Sequence, residues 1–419
     1  IYTLSLHDAL PIYELAVLGS HEVASMTQHW GFMAYKSAFP YIFLEVSHMG
    51  INDIILYVMT GFMALGALDK AFLENRLGFG EKFEEGFMAM GSLMLAMGGV
   101  ITLAPFLAAV LKPVIVPLYQ AVGADPSMFA TTLLACDMGG YPLAMQMAAN
   151  PQIGRFAGII LGGMMGPTIV FSIPVALGII EKKDHPALAK GILIGMVTIP
   201  LGCLAGGLMM LGEGFTLFTL LLNIVPVLVV SILIAAGLKF IPSAMIKGFS
   251  AFGKVVVALI TVGLAMGIVE ALSPYRFFPE GSPYALVPLT ESYAVIGSIA
   301  IVLAGAFPMV TFITKVFKAP LLVFGRKLGM GDIAAAGMVA TLANNIPTFT
   351  MMKDMDERGK IINVAFAVSA AFVFGDHLGF TAGVERGLIL AMIVGKLVAG
   401  IAAVVLACRV TPQNASPDA

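Results

Sequence analysis

From residue 51 to residue 409 the chain is a succession of apolar runs, joined by short and more polar stretches. A helix needs about 20 apolar residues to cross the roughly 30 Å of bilayer hydrocarbon. Eleven runs approach that length, at about 51–69, 86–111, 127–147, 155–180, 187–211, 215–238, 249–272, 291–317, 331–352, 360–380 and 386–409. Lipid offers no partner to an unpaired backbone amide, so segments of this kind cross it as helices with their hydrogen bonds closed internally. The expected fold is an all-α integral membrane protein of about eleven transmembrane helices. Two shorter apolar stretches, about 113–123 and 320–329, are too short to cross and are expected at the interface.

Composition agrees. Hydrophobic residues make up 59% of the 419 and charged residues 11%, against about 25% charged in a soluble domain that must keep its surface hydrated. The net charge of −2 leaves no basic stripe to release counterions, which excludes nucleic acid as a partner. Cys136, Cys203 and Cys408 are odd in number and far apart, giving neither a disulfide framework nor metal-ligand spacing. They read as small apolar residues.

Residues 1–48 differ from the rest of the chain. They hold four of the six histidines and the single tryptophan, Trp30, with no 20-residue apolar run and no signal-peptide pattern. Ser5 to Ile12 resembles a translated sequencing-adapter fragment. We expect a foreign extension ahead of a natural start at Met49; a native amphipathic arm is the alternative. The polar tail from Thr411 is expected to be loose.

Sidedness follows from where Lys and Arg collect. The acid-free stretch with Lys239, Lys247 and Lys254 and the stretch with Lys315, Lys318, Arg326 and Lys327 are expected in the cytoplasm, and the loop holding Glu270, Glu280 and Glu291 outside. The two halves also echo each other at an offset of 206 to 208 residues. Gly91-Ser92 answers Gly297-Ser298, and Leu134-Ala135 answers Leu342-Ala343. We expect one repeat over about 51–211, a linker helix at 215–238 and a second repeat over about 249–409. Duplicated halves with broken helices near the midplane place a solute site at their interface. Five crossings per offset make the repeats inverted and six make them parallel; the count turns on whether 127–147 spans or forms a re-entrant hairpin.

An ionised group at the bilayer centre costs about 2.5–3.5 kcal/mol on insertion scales, so each one within a span is a candidate for function. Asp137 precedes Gly139, Gly140 and Pro142, which should break the helix and free backbone groups beside the carboxylate; Tyr141 follows four residues on. The plainer role is an Asp that caps the next half-helix. Asn344 and Asn345 stand before Ile346-Pro347, with Thr348 beyond, and proline disfavours a helical residue before it. These amides suit a hydroxyl-bearing ligand; the alternative is interhelical glue. Asp376 and His377 lie between Phe372 and Phe380, which share a face with Asp376 on a continuous helix. A carboxylate among aromatic faces suits a small ammonium, with His377 carrying a proton or tuning Asp376. A structural Asp–His hydrogen bond is the other reading.

Enzyme classes find little support. No His-Glu-x-x-His metal motif, Walker loop or Gly-x-Ser-x-Gly turn with an evident histidine partner occurs, and no cofactor or metal is called for. A scaffold would not need paired broken helices.

At these same residues the chain resembles the bacterial ethanolamine permease family, the ethanolamine utilisation protein EutH. The resemblance runs from about Met49 to the end of the last span. It is carried by Phe83-Glu84-Glu85-Gly86-Phe87-Met88-Ala89-Met90-Gly91, by Leu134 to Gly140, by Met165 to Pro174, by Ala340 to Pro347 and by Gly375 to Phe380. It implies passage of ethanolamine across the bacterial cytoplasmic membrane, feeding its breakdown in a protein-shelled microcompartment. The resemblance assigns no residue roles; for such a substrate the residues themselves lead us to expect Asp137 or Asp376 to pair with the ammonium, Asn344 and Asn345 to bind the hydroxyl, and Tyr141 or Phe380 to line the pocket. The same groups serve facilitated diffusion and uptake coupled to H+ or Na+.

Overall fold

A computed structural model describes residues 50–411; residues 1–49 and 412–419, with the expectations about the extension, Met49 and the tail, lie outside the described residues. Among the described residues every regular element is helical, and the single β-bridge, Gly212 to Phe215, closes a turn. In chain order the helices are α1 (Ile51–Phe72), α2 (Gly80–Gln120), α3 (Ser127–Leu133), α4 (Gly140–Met147), α5 (Pro151–Leu161), α6 (Met165–Ile179), α7 (His185–Leu208) and α8 (Leu217–Phe240). They continue as α9 (Pro242–Leu272), α10 (Leu289–Lys327), α11 (Asp332–Ala343), α12 (Asn345–Met351), α13 (Glu357–Ala370), α14 (Asp376–Val384) and α15 (Ile389–Val410).

Seven of the described helices are long and apolar enough to cross a bilayer, or eight if α5 and α6, bent by 43°, form one span. The protein is therefore a multi-pass membrane protein, but not with eleven continuous helices. Four of the expected runs, 127–147, 155–180, 331–352 and 360–380, are each broken in the middle. Apolarity alone does not register such breaks, since Gly and Pro leave a hydropathy window high. The stretches 113–123 and 320–329, expected at the interface, instead extend α2 and α10.

Two of the broken runs fold back on themselves. After α3 the backbone turns extended at Leu134 (φ −110°, ψ 140°) and Ala135, and Gly139 takes φ 85°, a left-handed conformation that glycine adopts without a Cβ penalty. The chain then returns as α4. Its two feet are held together by Asp125, whose carboxylate accepts from Ser127 N at 2.8 Å and from Ala149 N and Asn150 N at 3.0 Å. Asn223 of α8 steadies the same spot by accepting from Asp125 N at 2.8 Å. The α11–α12 hairpin has the same device. Asp356 accepts from Gly331 N and from Gly359 N, each at 3.0 Å, and Asn344 caps α12 by accepting from Ile346 N at 2.8 Å.

Asp125→Ala should free three amide donors at once. At about 1 kcal/mol or more for each lost bond, we expect destabilisation of about 3 kcal/mol, measured as a lower melting temperature in detergent, with Asp125→Asn intermediate.

The hairpins enter the bundle from opposite ends. Helices α2 and α10 run antiparallel: Lys315 Nζ reaches Leu77 O at 3.4 Å, Gly86 lies against the backbone of Ala304, and Ser292 Oγ donates to Gly98 O at 3.3 Å. The α3–α4 hairpin follows the C-terminal end of α2, whereas α11–α12 follows the C-terminal end of α10. Their tips each meet a broken helix. Cys136 N donates to Gly162 O between α5 and α6, and Phe372 N and Phe374 N, between α13 and α14, donate to Thr341 O and Leu342 O.

Glycine permits the contact at both places. A Cβ on Gly166 would stand 2.0 Å from Leu134 O, and one on Gly375 2.1 Å from Ala343 O. Helices α7 and α15 pack just as closely, Gly202 against Gly395, and run antiparallel, with Lys190 Nζ 3.4 Å from Val410 O. By contrast α8 and α9 turn most of their surface outward, and that surface is rich in Leu, Val and Ile.

Candidate functional site

Where the α3–α4 tip meets the α13–α14 break, a cavity of about 210 Å³ is lined by Asp137, Asp376, His377, Ser92, Phe171 and Phe372, with Ala89, Leu93, Ala96, Ala135, Met138 and Pro167 completing its walls. Taking about 30 Å³ per water, this is room for a solute of a few non-hydrogen atoms, below the 300 Å³ or so of a drug-sized pocket.

The aromatic walls come from strained and bent backbone. Phe372 is held at φ 64°, unusual for a bulky side chain, and its ring meets Phe171 edge-on at 5.7 Å and His377 at 5.2 Å. The continuous helix expected through Phe372, Asp376 and Phe380 does not form, because α13 ends at Ala370 and α14 starts at Asp376. Phe372 thus reaches the cavity by leaving the helix rather than by sharing its face.

His377 has partners other than Asp376. Its Nε2 faces Asp137 Oδ1 at 3.7 Å and its Nδ1 stands 3.0 Å from Lys396 Nζ. Lys396, on α15, is buried and also donates to Gly163 O, a carbonyl freed by the break between α5 and α6. Asp137, His377 and Lys396 therefore form a row from the cavity wall into the protein. The sequence reading missed Lys396, although a charge midway along an apolar run was the signal to follow. Ser92 and Phe171 were missed as well, being ordinary residues within apolar helices.

Next to this cavity is a second recess of about 430 Å³, lined by Lys82, Glu85, Phe307, Thr311, Asn344 and Asp376 among others. Ala89, Ser92 and Asp376 belong to both linings. Lys82 and Glu85 form an ion pair at this recess. It lies toward the end of the bundle where α2 begins and α10 carries Lys315.

The remaining expected residues have other partners. Tyr141 donates its hydroxyl to Glu385 Oε1 at 2.7 Å and sets its ring edge-on to Phe380 at 5.8 Å, while Arg155 pairs with Glu385 at 2.7 Å. Phe380 is fully buried, and neither ring lines the cavity. Asn345 donates to Ser172 Oγ at 2.8 Å, and Thr348 bonds Thr341 at 2.8 Å and Gly337 O at 2.7 Å. These bonds tie helices together as the interhelical alternative describes.

Cys136, Asp137 and His377 bring ligand-type atoms within 4.8 Å of one another, a spacing that a metal ion could use. A dication there would need the Cys136 thiol deprotonated and would face the Lys396 ammonium next to His377. A monocation in the cavity needs no thiolate.

Comparison with known proteins identifies the family. The family model described as "Ethanolamine utilisation protein, EutH" matches residues 51–410. A protein of Listeria monocytogenes serotype 1/2a (strain 10403S) named "Probable ethanolamine permease EutH" is 60% identical over 356 residues, 85% of this chain and 93% of its own. One of the same name from Escherichia coli (strain K12) is 52% identical over 395 residues, 87% of this chain and 97% of its own. "Uncharacterized protein YxeR" of Bacillus subtilis (strain 168) is 49% identical over 368 residues, 88% and 97% of the two chains. No solved structure matches. With a match through all the described spans and around both broken helices, the chain belongs to the EutH family of ethanolamine utilisation proteins.

Proposed function

We propose that this protein is a permease rather than an enzyme, carrying ethanolamine across the bacterial cytoplasmic membrane for catabolism. One observation carries the reading: the charges around a small aromatic-walled cavity. The carboxyl groups of Asp137 and Asp376 line it, and the Lys396 amine is buried behind Asp137. With both carboxyls ionised and Lys396 protonated, one monovalent cation brings the site to neutrality, which a low-dielectric site rewards. Phe171 and Phe372 give an ammonium the aromatic faces it favours, worth up to about 2 kcal/mol when desolvated. Ser92 in the wall and Asn344 in the recess supply hydrogen-bonding groups for the hydroxyl. The names of the relatives support the same substrate.

The halves are best read as inverted repeats, α2–α7 and α10–α15, with α8 and α9 between them. Both residues of the glycine contact shift by 209 positions, Leu134 with Gly166 recurring as Ala343 with Gly375. If each hairpin is re-entrant, five crossings separate α2 from α10, and the eleven runs amount to nine crossings and two hairpins. Lys315, Lys318, Arg326 and Lys327 then place the recess end in the cytoplasm, so the cavity opens inward. Tyr141, Arg155 and Glu385 close the opposite end.

The test is flux. Purified protein in proteoliposomes should take up labelled ethanolamine saturably, with competition from other small amino alcohols ranking the specificity. Flux equal to that of protein-free vesicles, with the protein shown to be inserted and folded, overturns the proposal.

A further inference from the structure

Lys396 is unusual in what it does not do. It does not line the cavity, yet it is fully buried in an apolar helix, with its ammonium directed at a histidine ring rather than at a carboxylate. An ammonium with no role beyond satisfying Asp137 would pair with it directly. Here His377 is interposed, and its two nitrogens face opposite ways. Nδ1 stands 3.0 Å from Lys396 Nζ, and Nε2 faces Asp137 Oδ1 at 3.7 Å. A protonated lysine can only donate, so Nδ1 accepts and the neutral ring carries its proton on Nε2, toward the carboxylate.

We propose that Lys396, His377 and Asp137 form an internal proton relay that turns the buried Asp137 and Lys396 charges into neutral groups when ethanolamine leaves, so that the unloaded carrier returns with its one uncompensated charge on Asp376 beside the recess. The inference rests on the ethanolamine reading and adds its means of resetting. With ethanolammonium beside Asp137, the carboxylate is ionised and Lys396 is protonated. On release, Lys396 Nζ gives a proton to His377 Nδ1 while His377 Nε2 gives its own to Asp137 Oδ1. Lysine ends as a neutral amine, histidine as the Nδ1–H tautomer and aspartate as the acid. No proton enters or leaves, and rebinding of an ammonium drives the same steps backwards. Gly163 O continues to accept from the lysine nitrogen in either form. The other titratable group facing this row is Cys136, from the same hairpin tip as Asp137. Asp376, at the junction with the recess, keeps its charge and attracts the next ammonium.

A relay separates two kinds of transport. Net uptake requires the empty carrier to return, whereas exchange of internal for external ethanolamine never visits the empty state. Lys396→Arg keeps the positive charge but gives up no proton. Net uptake of labelled ethanolamine into empty proteoliposomes should fall about 100-fold, the scale of a lost general acid. Exchange into vesicles preloaded with unlabelled ethanolamine should fall at least tenfold less than net uptake, so that the ratio of the two assays changes. Equal losses in both assays by a variant with wild-type melting behaviour would overturn the relay, as would no loss in either.

Wild-type protein provides a second measurement that needs no variant. Difference infrared spectra on washing out ethanolamine should show the carbonyl stretch of a newly protonated carboxyl, and Asp137→Asn should remove that band. A wild type that transports yet shows no such band also overturns the relay. A wild type with neither net flux nor exchange instead sinks the ethanolamine reading beneath it.

Discussion

Asp137→Asn is expected to lower ethanolamine uptake by about 100-fold, with near-normal folding. Two penalties act in the same direction. The substrate ammonium loses its carboxylate partner, a change that costs about 2–5 kcal/mol for a buried charge pair, at tenfold per 1.4 kcal/mol. The Lys396 ammonium, 3.0 Å from His377, also loses its balancing charge and so repels an incoming cation. Asp376→Asn should do less, about tenfold, because Asp376 borders the recess as well as the cavity and water there screens part of its charge. The measurement is initial uptake into proteoliposomes at matched protein content. Wild-type uptake in both variants would refute the assignment of the cavity.

Gly166→Ala should abolish transport through shape alone. Its added Cβ would meet Leu134 O at 2.0 Å, Leu134 C at 2.3 Å and Ala135 N at 2.7 Å. All three are backbone atoms, so no rotamer change relieves the clash and the hairpin tip must withdraw. Overpacking of this kind costs about 1–3 kcal/mol of stability. The larger loss is functional, because the displaced segment carries Asp137, and a displacement of about 1 Å can cost 100-fold where geometry matters. Gly375→Ala should act alike through Ala343 O. Gly297→Ala, where the new Cβ meets nothing within 4 Å, serves as the control and should transport normally. Near-normal uptake by Gly166→Ala and Gly375→Ala would mean that the tips are not held as described.

The sequence carried much of this, and the failures have physical causes. The long apolar helices were legible because their composition has no stable alternative in lipid. The breaks at Asp137 and at Asn344 were legible because Gly139 and Pro347 speak against a continuous helix. The likeness of Leu134-Ala135 to Leu342-Ala343 was visible, and the glycine contacts that resemble each other fall one residue away, Leu134 to Ala343. What could not be read was direction. A hairpin and a span have the same hydropathy, and only the bonds of Asp125 to Ser127 and Asn150 reveal that α3 and α4 start and end together. The environment of a polar group was equally hidden. Asn345 looked like a ligand for a hydroxyl and bonds Ser172, while Tyr141 looked like a pocket wall and bonds Glu385. Both are contacts across more than 170 residues, beyond any local pattern.

Two helical stretches that line the cavity, Met94–Gly98 and Thr168–Ser172, are wound one residue wider than an α-helix. A widened turn of this kind can migrate along its helix by trading hydrogen-bond partners one at a time, whereas opening the ladder would strand amides in oil. Walls built this way can be re-aimed by a twist that slips residue by residue, so that the ligand's surroundings change shape while no peptide group is ever left thirsty.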